Sequence, residues 1–133
     1  MRNFRELEVW QRATKLTVAV YRCSAHFPQD ERFGLVQQIR RAAASIGANI
    51  AEGAAKESDA DFSRFLQISL GSACEVENFL LLASELKFVN LDAETDLLAQ
   101  LMSLKKQLTR FIQFLNNKVS ATRRAGQRIN FAP

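Results

Sequence analysis

The chain has 133 residues, 47% hydrophobic and 24% charged, which fits one domain with a real core. Two prolines and five glycines are too few for the tight turns of an all-β fold, and Leu, Ala, Gln, Lys and Glu, all good helix formers, abound. The net charge of +4 is lopsided: residues 1–96 hold eleven Lys/Arg and all fourteen Asp/Glu, whereas residues 97–133 hold seven Lys/Arg and no acid. Such a split points to an anionic partner. No apolar run reaches the roughly eighteen residues of a membrane span. The N-terminal MRNFRELEVW carries charge where a secretory signal is apolar. The expectation is a cytoplasmic protein with no membrane partner, its Cys23 and Cys74 reduced and serving as small core residues.

Residues 1–5 are expected to fray, with Phe4 as an anchor. The first helix is predicted over Glu6–Ala25, where Val9, Ala13, Leu16, Val20 and Cys23 form a heptad seam. Phe27 and Pro28 end it, because the residue before proline is pushed out of helical space. After the short PQDERF connection, a second helix is predicted over Leu35–Ala55. Ile39, Ala42, Ile46 and Ile50 make its apolar face, Gln38, Arg41, Ser45, Asn49 and Glu52 a polar one, and Arg40, Ala44, Ala48, Ala51 and Ala55 a nearly flat one. Such a helix can touch neighbours on two sides. Gly47 is expected to soften or kink it.

Ser58 and Asp61 have the shape of a capping box opening a third helix, Asp59–Leu86. Its seam is Phe62, Phe65, Ser69, Ser72, Val76, Phe79, Ala83 and Leu86. The two seam serines either bond back to the preceding turn or permit a close crossing with the alanine face of the second helix. A fourth helix is predicted over Ala93–Asn117, capped by Asp92, with Leu97, Leu101, Leu104, Leu108, Phe111 and Leu115 as its seam and Ile112 and Phe114 as further core. The periodicity stops at Ser120. The predicted organisation is an all-α, up-down-up-down four-helix bundle over residues 1–119 and a basic, mobile tail over 120–133.

The residues exclude the common catalytic arrangements. Glu75/Glu77 and Asp59/Asp61 stand two apart and do not face each other on a helix. One histidine, His26, and two separated cysteines do not make a metal site. Ser45 has no histidine partner in range, and Gly47–Gly53 lacks the Lys-Ser/Thr of a phosphate loop. The expectation is a protein that is not an enzyme and uses no metal or cofactor.

Two polar groups stand out. Arg41, Ser45, Asn49 and Glu52 are expected to form a network fixing helix or subunit register, since the arginine fork pairs with carboxylate in two bonds. Alternatively, Arg40 or Arg41 reaches a phosphate. Lys105, Lys106 and Arg110, with Lys118 beyond, form either a solvated surface or a phosphate-contacting patch that binds by counterion release without reading sequence.

The segments FRELEVWQRA, FPQDERFGLVQQIRRAAASIGANIAEG and FLQISLGSACEVE, in this order and spacing, resemble the four-helix-bundle proteins named after 23S rRNA intervening sequences, also called S23-type ribosomal proteins. The resemblance spans about residues 3–117. It implies a bundle assembling into a ring-like homopentamer, and kinship with the basic pentameric accessory protein of diversity-generating retroelements, which binds nucleic acid and partners a reverse transcriptase. Ribosomal components are the other partners it implies. The family usually has proline where this chain has Gly47.

Two functional readings follow. In the first, the protein is a homo-oligomeric bundle binding RNA or DNA through Arg40, Lys105, Lys106, Arg110, Lys118, Arg123, Arg124 and Arg128. In the second, it is a purely structural or protein-interaction oligomer in which the alanine face and SIGANIAEG serve assembly only.

Overall fold

The structure is a computed structural model describing residues 2–130, with side chains as far as Arg128. Four α-helices form it: α1 (Glu8–Ser24), α2 (Leu35–Ala54), α3 (Asp59–Glu85) and α4 (Leu91–Asn130). Short 3-10 turns lie at Phe4–Glu6 and Gln29–Glu31. Close backbone approaches join α1 to α2, α2 to α3, α3 to α4 and α4 back to α1, and no diagonal pair of helices brings its backbones close among the described residues. Successive helices are antiparallel: Thr17 meets Ala43, Ser45 meets Ser72 and Ile46 meets Ser69, and Glu77 meets Lys105 while Ser84 meets Glu94. This is the up-down-up-down bundle expected from the seams.

The seams supply most of the core; in α3, Leu66, Ala73 and Leu80 beside the expected seam are buried as well, whereas Phe79 is only partly buried and Leu86 is exposed. Val9, Ala13, Leu16 and Val20 face Ile39, Ala42, Ile46 and Ile50, and these meet Phe62, Leu66, Ala73, Val76 and Leu80 of α3 and Leu97, Leu101, Leu104, Leu108 and Leu115 of α4. Burying each of the leucines stabilises the fold by about 2 kcal/mol. Helix α3 is long and apolar enough by composition to cross a membrane. Its composition has a local cause, because it packs against α2 on one side and α4 on the other.

The seam serines of α3 do bond across to α2, but at Ile46 and Ser45 rather than at the alanine face, whose Ala44 and Ala48 are exposed beside α1. Ser69 Oγ, fully buried, donates to the Ile46 carbonyl at 2.8 Å, and Ser72 Oγ lies 2.6 Å from Ser45 Oγ. Both hydroxyls are satisfied across the interface rather than within their own helix. Helix α2 continues unbroken through Gly47, which faces the Trp10 ring. The tighter glycine is Gly53: a Cβ there would stand 2.7 Å from Phe65 Cβ and 2.9 Å from Phe62 Cδ1.

Several expectations need correction. Residues 2–5 are not frayed: Arg2 donates to the Lys56 carbonyl at 3.0 Å, pairs with Asp59 and stacks 4.6 Å from the Phe62 ring, while Phe4 packs edge-on to Trp10. Asn90, not Asp92, caps α4, its Oδ1 accepting from Ala93 N–H at 2.8 Å. Cys74 is exposed and Cys23 half-buried, because Cys74 stands beside the α3 seam rather than in it. Phe114 is exposed and Phe111 alone of the two packs on the core.

The largest difference is the end of α4. It was expected at Asn117, yet the helix continues to Asn130. Loss of apolar periodicity marks the end of the core, and nothing in SATRR stops a helix. Phe131 and the rest of the expected tail's end lie outside the described residues.

Candidate nucleic-acid interface

Helix α4 carries the seven cations of the acid-free segment, and the fold sorts them into two groups. The first group is committed to internal partners. Lys105 Nζ lies 2.6 Å from Glu77 Oε2, and this hydrogen bond holds its ammonium above the ordinary lysine range, outweighing the lowering effect of burial. Lys118 Nζ lies 3.2 Å from Asp59 Oδ2, the carboxylate that also takes Arg2.

The second group is Lys106, Arg110, Arg123, Arg124 and Arg128. All are exposed, and none makes an ion pair among the described residues. Lys106 and Arg110 stand with Lys105 on the rim of an open groove between α3 and α4, about 590 Å³ in volume. Leu70, Leu81, Leu98, Met102 and Cys74 supply the apolar part of its lining.

Arg40, expected as a phosphate contact, is half-buried and held in place. It donates from Nε to Ser24 Oγ at 2.8 Å and from Nη2 to the Tyr21 carbonyl at 3.1 Å, with its guanidinium 4.6 Å from the Tyr21 ring. It ties α2 to the end of α1.

The expected network of α2 does not close. Arg41 reaches Gln38 at 3.1 Å and Glu75 at 3.6 Å, with its side chain 63% exposed. Ser45 turns to Ala42 O and Ser72, and Asn49 donates to the Ser45 carbonyl at 2.8 Å. Glu52 is exposed with no ion pair among the described residues. Arg41 and Glu52 are about three turns apart, too far for one fork to bridge. What the polar face does instead is fasten α2 to α3 at Ser45 and Glu75.

Sequence reasoning missed the Arg2–Asp59–Lys118 cluster, which ties together the N-terminus, the start of α3 and the point where α4 leaves the bundle. Its signal was faint: an N-terminal arginine and a carboxylate already assigned to a helix start. His26 is exposed, and among the described residues no three His, Cys, Asp or Glu side chains stand close enough to hold a metal. Burial pushes the Cys23 thiol up, away from the reactive thiolate.

Fold and surface together define a small all-α bundle whose last helix presents unpaired cations to solvent. The profile of the 23S rRNA-intervening sequence protein family matches residues 5–110, and the chain belongs to that family. Among solved structures it is similar to a protein of unknown function from the S23 ribosomal protein family of Bacteroides thetaiotaomicron VPI-5482. That likeness has 27% identity and a TM-score of 0.71, and covers 78% of this chain and 97% of the other. No curated protein matches the chain. The family match stops at Arg110, so most of the unpaired cations lie beyond it.

Proposed function

We propose that this protein is a non-enzymatic, self-associating bundle that binds RNA or DNA through the phosphate backbone, without cofactor or metal. One observation carries the reading: Lys106, Arg110, Arg123, Arg124 and Arg128 lie exposed on one helix that bears no acid after Asp96. Lys105, Lys118 and Arg40 share their charge with internal partners and contribute less. The family resemblance supports a ring-like homopentamer acting as a scaffold for a larger machine, with a reverse transcriptase or a ribosomal component as its protein partner, and the charged N-terminal MRNFRELEVW supports a cytoplasmic place of action. The alanine face of α2 supports self-association: Ala44 and Ala48 are exposed, and beside them Val18 and Trp10 line a shallow groove.

The test is fluorescence anisotropy of a labelled RNA hairpin and a matched DNA duplex across a salt series. The expected result is a logarithm of affinity that falls linearly with log salt, with a slope of about −0.9 for each phosphate contact on the duplex. Absence of binding at low salt rejects the reading. It would leave the purely structural, protein-interaction oligomer, which the exposed Ala44/Ala48 face favours. Light scattering then decides whether the chain self-associates at all, and as a pentamer.

A further inference from the structure

Projecting the α4 sequence on its helix places Lys106, Arg110, Gln113, Asn117, Ser120, Arg124 and Arg128 in one line, at steps of four, three, four, three, four and four. All seven are exposed. The line lies opposite the seam of Leu97, Leu101, Leu104, Leu108 and Leu115, so it is the outward face of the helix. It holds cations, amides and one hydroxyl, and no carboxylate. From Lys106 to Arg128 it measures about 33 Å, close to one turn of a B-form duplex.

The two halves of this line differ. Lys106, Arg110, Gln113 and Asn117 sit on the part of α4 backed by the bundle. Beyond the Lys118–Asp59 pair every side chain from Ser120 to Arg128 is exposed, so about 16 Å of helix continues past the bundle's last contacts. Ser120, Ala121, Thr122, Ala125 and Gly126 keep this end slim. A bare helix of roughly 10 Å diameter fits the B-DNA major groove, about 12 Å wide, whereas the A-form major groove is too deep and narrow for side chains to read.

We propose that the projecting end of α4 is a double-stranded DNA element. It enters the major groove with Arg124 and Arg128 against the phosphates, while Lys106 and Arg110 on the supported half hold the flanking backbone. This rests on the nucleic-acid reading above and narrows it to duplex DNA. Arg123, on another side of the helix, faces the opposite wall of the groove.

The test uses the full chain with labelled DNA and RNA duplexes of matched sequence, each roughly two helical turns long. DNA is expected to bind about tenfold tighter than RNA. Arg124→Gln/Arg128→Gln is expected to weaken DNA binding about tenfold and to lower the salt slope by about two. Ala121→Pro keeps every cation but breaks the projecting helix, and is expected to abolish the preference for DNA. Circular dichroism melting of both variants checks that the bundle is intact, as the exposure of these positions requires. Equal affinity for the two duplexes, unchanged by Ala121→Pro, overturns the inference and leaves backbone binding standing. No binding to either duplex overturns both.

Discussion

Between Leu97 and Leu115, α4 buries a residue at every third or fourth position; between Ser120 and Arg128 it buries none. The backbone is the same helix throughout, yet its two halves are held by different forces. The supported half is fixed by apolar burial and by the Lys105–Glu77 and Ser63–Asn116 contacts to α3. The projecting half has only its own backbone hydrogen bonds and propensity. An isolated helix of that length is marginal in water. Stability therefore resides in one half and the capacity to meet a partner in the other, with the Arg2–Asp59–Lys118 cluster at the junction.

The sharpest way to break this contrast is substitution in each half. Leu108→Ala, at a fully buried position, is expected to cost about 3 kcal/mol in urea denaturation. Arg124→Ala on the projecting half is expected to change stability by less than about 0.5 kcal/mol. Equal costs would show that the projecting half is packed against something in the folded chain. Next in size is Gly53→Ala, near the junction. The added Cβ meets Phe65 and Phe62 inside contact distance, so overpacking is expected to cost about 2 kcal/mol, read as a lowered Tm.

Asp59→Asn tests the junction itself. It removes the charge shared by Arg2 and Lys118 at a half-buried site, with an expected loss of about 1 kcal/mol. If Lys118→Ala alone gives the same loss and the double variant no more, the helix-four arm of the cluster accounts for it.

The smallest expected effect concerns the Lys105–Glu77 pair. Because the Lys105 ammonium is held above its ordinary value of 10.5, the pair stabilises the fold fully below that pH and loses its effect as pH rises through the elevated folded value. Both groups are about a third exposed, so Glu77→Gln is expected to cost only about 0.5 kcal/mol at neutral pH. The difference from the parent chain should vanish at a pH well above 10.5.

Much of the bundle was legible in the residues. Heptad steps set helix number, order and buried face, because a period of three and four can hide only one stripe of a helix. Pro28 and the Ser58–Asp61 cap set two boundaries, and Asp61 N–H does bond Ser58 Oγ at 3.1 Å. The cations of α4 were equally legible as a group. Their sorting was not: Lys105, Lys118 and Arg40 look like Lys106 and Arg110 in sequence, and only the approach of Glu77, Asp59 and Ser24 separates them.

By itself, then, the sequence determined the four seams, the all-helical class, the family motifs and the charge asymmetry, since each depends on local spacing or simple composition. The tertiary structure decided where side chains from distant segments meet. It made Gly53 a point of close approach and turned Ser69 and Ser72 across to α2. It tied Arg2 to Asp59 and carried α4 past its last core residue. The reason is that periodicity records which residues of a helix need partners, whereas the identity of those partners, and the continuation of a helix that needs none, depend on chain packing in three dimensions.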